Sequence, residues 1–144
     1  MTQPPAPVFL DTNVILRTLD DGDDQASQDC RSLMRRLVAG DLACWTTHLV
    51  LAELAWTLGS LFRAPRERIA AALIDLVDIE SLQIERKDMV REAIQSYAAT
   101  SVDFIDAYNA AAVRRRGQAS LCSYDRDFER LGLERIEPAA LFQE

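Results

Sequence analysis

Apolar residues follow two rhythms along this chain. Short runs, Val8-Phe9-Leu10, Leu42-Ala43-Cys44-Trp45, Leu82-Gln83-Ile84 and Ala119 to Tyr124, read as short buried strands, with Arg135-Ile136 as a last edge strand. The intervening segments carry a helical period. Cys30, Leu33, Met34, Leu37 and Val38 recur along Gln25 to Ala39, where Gly40 supplies the stop. Leu49, Val50, Leu51, Leu54, Trp56, Leu58 and Leu61 make the segment His48 to Leu61 apolar around most of its circumference. After Pro65, a first helical residue, come Ile69, Leu73, Leu76 and Val77, and the segment Asp88 to Ala99 presents Met89, Val90, Ala93, Ile94 and Tyr97. Shorter helices are expected over Asn13 to Leu19, from Asp125 to near Gly132 and at Pro138 to Phe142, and a longer one from Thr100 to about Arg115. Strands that alternate with helices predict an α/β domain with a mostly parallel sheet, because parallel neighbours need crossovers.

Composition adds bounds to that picture. A chain of 144 residues with 49% hydrophobic content fits one domain, here 8–144, preceded by a proline-rich lead-in, 1–7, read as stiff and disordered and lacking the positive charge of a secretion signal. The balance of 16 Lys+Arg against 23 Asp+Glu gives a net charge of −7, so any contact with nucleic acid must be local or metal-mediated. Lys87 is the only lysine and His48 the only histidine. Cys30, Cys44 and Cys122 have no pairing pattern and read as reduced core thiols, which with no apolar run of membrane length leads to an expected cytoplasmic location.

Four carboxylates then need an account. Asp11 directly follows the first strand, at the edge where open α/β sheets bind ligands, and Asp125 repeats that geometry after the fourth. Either is also suited to capping a helix. Glu53 lies among apolar neighbours in its helix, where an unpartnered carboxylate is costly, unless it sits at the margin and reaches solvent. Asp103 has capping-box spacing from Thr100, but Asp106, on the same helix face, has no such explanation. Such acids repel one another unless a cation lies among them, and hard oxygen donors select Mg²⁺, with Mn²⁺ as a substitute. Asp20 to Asp24 lacks the order of a calcium-binding loop and reads as a solvated turn whose last Asp caps a helix. His48 reads as a capping or surface residue, and Arg114-Arg115-Arg116 as complements to a helix dipole in preference to a nucleic-acid patch. The nucleophile elbow, the P-loop and the dinucleotide fingerprint are all absent. A phospho-acceptor site at Asp11 would want an acid where Asn13 stands. The chemistry that remains is metal-assisted hydrolysis of a phosphodiester.

In order, Phe9-Leu10-Asp11-Thr12-Asn13-Val14-Ile15-Leu16-Arg17, Leu51-Ala52-Glu53-Leu54, Val102-Asp103-Phe104-Ile105-Asp106-Ala107 and Cys122-Ser123-Tyr124-Asp125-Arg126-Asp127-Phe128 resemble the successive signatures of PIN domains, most closely the VapC-type toxins of toxin–antitoxin pairs. The resemblance spans nearly the whole chain. It implies a short parallel sheet sandwiched by helices, a Mg²⁺-dependent endoribonuclease, a homodimer and a cognate antitoxin. It also matches Asp11, Glu53, Asp106 and Asp125 to an acidic quartet, with Asn13 and Ser123 in support, and leaves Asp103 and Asp127 as extra acids nearby. A housekeeping PIN nuclease and a catalytically silent PIN-like interaction module are the alternatives.

Overall fold

The computed structural model describes residues 5–142, so Met1 to Pro4 of the expected lead-in lie outside the described residues, and Pro5, Ala6 and Pro7 adopt no regular structure. The order of elements is β1 (Val8–Phe9), α1 (Thr12–Leu19), α2 (Gln25–Ala39), β2 (Cys44–Trp45), α3 (His48–Ser60), α4 (Arg66–Val77), β3 (Leu82–Gln83), α5 (Lys87–Ala99), α6 (Phe104–Arg115), β4 (Ser120–Cys122), α7 (Asp127–Arg130) and β5 (Glu134–Ile136). A 3₁₀ turn, Pro138–Leu141, follows. The fold is α/β and every strand pairing is parallel. β1, β2 and β3 are neighbours in that order, with Val8, Cys44 and Leu82 in register, while β4 pairs with β5 as a separate patch.

Helix boundaries follow local chemistry. α2 ends at Gly40, whose φ of 81° is the left-handed conformation that glycine adopts without steric cost. Thr47 caps α3 by accepting the N–H of Val50 at 3.3 Å. The core gathers Leu10 and Ile15 with Leu51 and Leu54 of α3, Leu73 of α4, Leu82 of β3, Val90 and Ile94 of α5, and Ala107 and Ala110 of α6. Among the described residues no helix is long and apolar enough to cross a membrane.

Burial departs from the sequence pattern in four places. Of the first strand only Leu10 is buried, at 3% exposure; Val8 and Phe9 are 67% and 41% exposed. A strand's side chains are enclosed only where other elements pack on its faces, and these two lack that cover. Phe9 and Trp45 are in register and pack against each other, ring centroids 4.9 Å apart, on a sheet face that also carries exposed Gln83. β4 is likewise only partly buried, and Cys122 at its end is exposed, although Cys30 and Cys44 are sheltered and all three thiols are free. Finally, α3 is not enclosed all round. Leu49, Glu53, Trp56 and Ser60, at successive steps of three or four residues, form an outward stripe, so Glu53 reaches solvent and is not a carboxylate trapped in the core.

Candidate metal centre

Asp11 stands at the carboxyl end of β1, where two bonds fix the chain. Leu10 donates its N–H to Trp45 O at 2.8 Å, and Thr46 Oγ1 donates to Leu10 O at 2.8 Å. The Asp11 carbonyl then accepts from Val14 N at 3.2 Å and starts α1. Its carboxylate makes no capping bond, so the capping explanation does not account for this side chain. Thr12 beside it is buried, and its Oγ1 has no partner among the described residues. Asn13 is exposed in the first turn of α1.

Asp106 occupies the first turn of α6. α6 begins at Phe104, which makes Asp103 the N-cap residue itself; the expected capping box from Thr100 does not form, and the Asp103 carboxylate makes no capping bond. Thr100 Oγ1 instead donates to Ser96 O at 2.8 Å, closing the previous helix. Beyond β4 the chain turns through a ladder of side-chain bonds. Ser123 Oγ accepts the N–H of Asp125 at 2.9 Å, and Asp125 Oδ1 accepts the N–H of Asp127 at 2.9 Å. Arg135 secures the base of this turn by donating to Ser123 O at 3.2 Å.

These two elements bring acids together. Asp106, Asp125 and Asp127 each offer a carboxylate oxygen, and the three atoms lie within 4.8 Å of one another. Partial burial raises the Asp106 pKa above its ordinary value, and the charges of Asp125, Asp103 and Asp127, with a hydrogen bond to Asp125, add to the rise. Arg130 offsets the cluster only weakly, 3.9 Å from Asp127 and bonded at 2.8 Å to Ser101 Oγ. Asp11 and Glu53 stand outside this three-acid group. Asp127, of secondary rank in the sequence, joins it together with Asp125, because the Asx turn folds both carboxylates toward α6.

The acid group opens onto a cavity of about 550 Å³ between α6 and β4, lined by Asp106 and Asp125 together with Asn109, Arg116, Gln118 and Ser123. Nothing in the sequence singles out Asn109 or Gln118, whose types are ordinary for a solvated helix face and turn. The donor set is oxygen throughout, with neither His nor Cys among the three, so a hard divalent cation fits it and a thiophilic one does not.

His48 lies elsewhere and does more than cap or decorate the surface. It opens α3, and its Nδ1 is 2.6 Å from Tyr108 Oη on α6 while its Nε2 is 2.6 Å from Glu85 O. A carbonyl only accepts, so Nε2 carries a proton and donates. With Lys87, which donates to Ile79 O at 2.9 Å, it lines a second cavity of about 610 Å³ that contains none of the three clustered acids.

Residues 8–133 match the family model described as PIN domain. A protein of Aquifex aeolicus named VapC ribonuclease is 25% identical over 130 residues, covering 90% of this chain and 96% of its own. The solved VapC20 toxin of Mycobacterium tuberculosis, described as cleaving the sarcin–ricin loop, aligns with 91% of this chain and 99% of its own at 23% identity and a TM-score of 0.39.

Proposed function

The chain belongs to the PIN domain family, and from that premise we propose that it is a Mg²⁺-dependent endoribonuclease, the toxin of a toxin–antitoxin pair. The observation that carries the reading is the convergence of the carboxylates of Asp106, Asp125 and Asp127 to within 4.8 Å of one another, beside a cavity that Asp106 and Asp125 line, with only Arg130 paired to the group among the described residues. The similarity to the VapC ribonuclease, which extends over nearly the full length of both chains, supports the same reading.

Asp106 and Asp125, with Asp127 beside them, are the residues that would hold the cation, and Asp11 and Glu53 are proposed to complete the quartet. A bound Mg²⁺ supplies charge for the scissile phosphate and a water of lowered pKa. The protein's own contribution is positional. The Ser123–Asp125–Asp127 ladder fixes two carboxylates on a turn, and α6 presents Asp106 to them from a rigid first turn. The raised proton affinity of Asp106 means that, without a cation, this site holds a proton more readily than an isolated aspartate does. An acidic protein thereby handles an acidic substrate, since the cation reverses the local sign of charge.

The proposed partners are RNA, a cognate antitoxin and a second copy of the chain, all in the cytoplasm. The outward stripe of α3, with Leu49 and Trp56 at 81% and 65% exposure, favours an apolar protein contact.

The decisive experiment incubates purified protein with RNA and Mg²⁺ and maps the 5′ ends produced, in parallel with Asp106→Asn and with chelator. Cleavage that needs both Mg²⁺ and Asp106 is expected. Full activity in chelator, or in a folded Asp106→Asn protein, would falsify the reading.

A further inference from the structure

Three consecutive arginines stand at the end of α6, Arg114 and Arg115 within it and Arg116 as its C-cap, and their contacts divide them into two kinds. Arg114 donates to Leu131 O at 3.0 Å and lies 3.7 Å from Glu92. Arg115 pairs with Asp88 at 2.7 Å and with Glu92 at 3.4 Å. Both therefore pin α6 to its neighbours and sit at the negative end of the helix dipole. Arg116 forms no ion pair among the described residues, and it lines the cavity that holds Asp106 and Asp125.

The helical period explains its position. Asp106, Asn109 and Val113 follow at steps of three and four residues on one face of α6, and Arg116, the C-cap residue just past the helix, lines the same cavity. The helical part of that span, from Asp106 to Arg115, rises about 14 Å, longer than one nucleotide step. Leu121 and Cys122 of β4, with Ser123 just beyond it, form the opposite wall, and Gln118 adds a neutral donor near the basic end. The trough is polarised, acids at one end and an uncommitted guanidinium at the other. A fully acidic trough would repel a polyanion along its whole length. This one offers a cation-binding end and, a fixed distance away, a side chain suited to a phosphate.

Resting on the nuclease reading above, we propose that Arg116 is a positioning residue that holds a flanking backbone phosphate of single-stranded RNA in the α6–β4 trough, while the scissile phosphate lies at the acids. It touches no reacting atom. Its effect is on substrate binding, and only for RNA long enough to reach it.

The test uses the full chain with Mg²⁺, a labelled cleavage-resistant phosphorothioate oligoribonucleotide, and fluorescence anisotropy across a salt series, with thermal melts to confirm folding. Arg116→Gln is expected to weaken binding about two- to fivefold at low salt and to flatten the log Kd against log salt slope by about 0.7. Arg116→Lys restores the slope, since a point charge also releases a counterion, and Arg115→Gln leaves it unchanged. With cleavable RNA, KM for the oligonucleotide rises by the same factor at constant kcat, and a dinucleotide is cleaved equally by all variants. Superimposable isotherms and slopes for Arg116→Gln and the unmodified protein overturn the proposal. So does Arg116-dependent binding of polyglutamate without any of RNA, which would assign the residue to a protein partner. If the unmodified protein cleaves no RNA, the nuclease reading falls, and the anisotropy slope still decides the role of Arg116.

Discussion

Asp106 and Asp125 come from separate elements, the first turn of α6 and the turn beyond β4, yet their carboxylate oxygens lie within 4.8 Å of each other. Neither element's local geometry needs this contact. It places like charges together where the chain could have separated them, an arrangement that supports the proposed cation site.

The first prediction follows from that cost. Asp106→Asn should stabilise the metal-free protein by about 1 kcal/mol, or about 3 °C in Tm, by removing a like charge. The same change should abolish Mg²⁺-dependent RNA cleavage. Calorimetry and a cleavage assay on one preparation check both halves.

A second prediction concerns pH. Because the folded-state pKa of Asp106 is raised, the folded protein holds this proton more tightly than the unfolded chain does. The associated stability is present below the ordinary aspartate range and is lost as pH rises through the raised value. If Mg²⁺ occupies the proposed site it takes the place of the proton, so the rise in Tm on adding Mg²⁺ should be small in acid and should grow toward neutral pH. Melting curves with Mg²⁺ and with chelator across that range read it directly. A metal-induced shift independent of pH would refute it.

Asp11 gives a third. Its carboxylate makes no capping bond, so Asp11→Ala should change stability by no more than about 0.5 kcal/mol while eliminating cleavage if the residue belongs to the quartet. Denaturant titration separates this from a structural role, in which loss of a cap would cost about 1 kcal/mol.

The pairing of His48 with Tyr108 supplies a fourth. Tyr108→Phe removes the hydroxyl 2.6 Å from His48 Nδ1 and should cost about 1 kcal/mol of stability. The donation from Nε2 to Glu85 O should persist, and the nitrogen chemical shifts of the imidazole would report a retained Nε2–H tautomer.

The exposed stripe of α3 supplies the last. Trp56→Glu should leave Tm nearly unchanged, since the side chain is mostly solvated. If the stripe joins two copies, the variant should sediment as a monomer at concentrations where the unmodified chain is a dimer. Identical sedimentation of the two proteins would remove α3 from the proposed dimer contact.

Much of the architecture was legible because it is written locally. The period of α2 and its stop at Gly40 depend on residues within one or two turns, and the run of hydrophobic residues at Leu82 locates a strand without knowledge of its neighbours. The strand-to-acid junction at Asp11 and the unexplained Asp106 were visible for the same reason, whereas Asp125, expected directly after the fourth strand, stands in a turn because β4 ends at Cys122. Burial was not. Whether Glu53 faces the core or solvent depends on which arc of α3 meets α4 and α6, and its apolar neighbours in sequence gave the wrong direction. Phe9 and Trp45 have the composition of core and stand open, because a strand's two faces are enclosed only when other elements pack on both.

The sequence by itself determined the elements, the parallel α/β class and a short set of candidate acids, since each rests on spacing along the chain. Tertiary structure alone decided that Asp127 joins Asp106 and Asp125, that Arg116 differs from the two arginines before it, and that His48 links three segments. Those relations join residues far apart in sequence, and distance in space between such residues is set by packing, which no local pattern encodes.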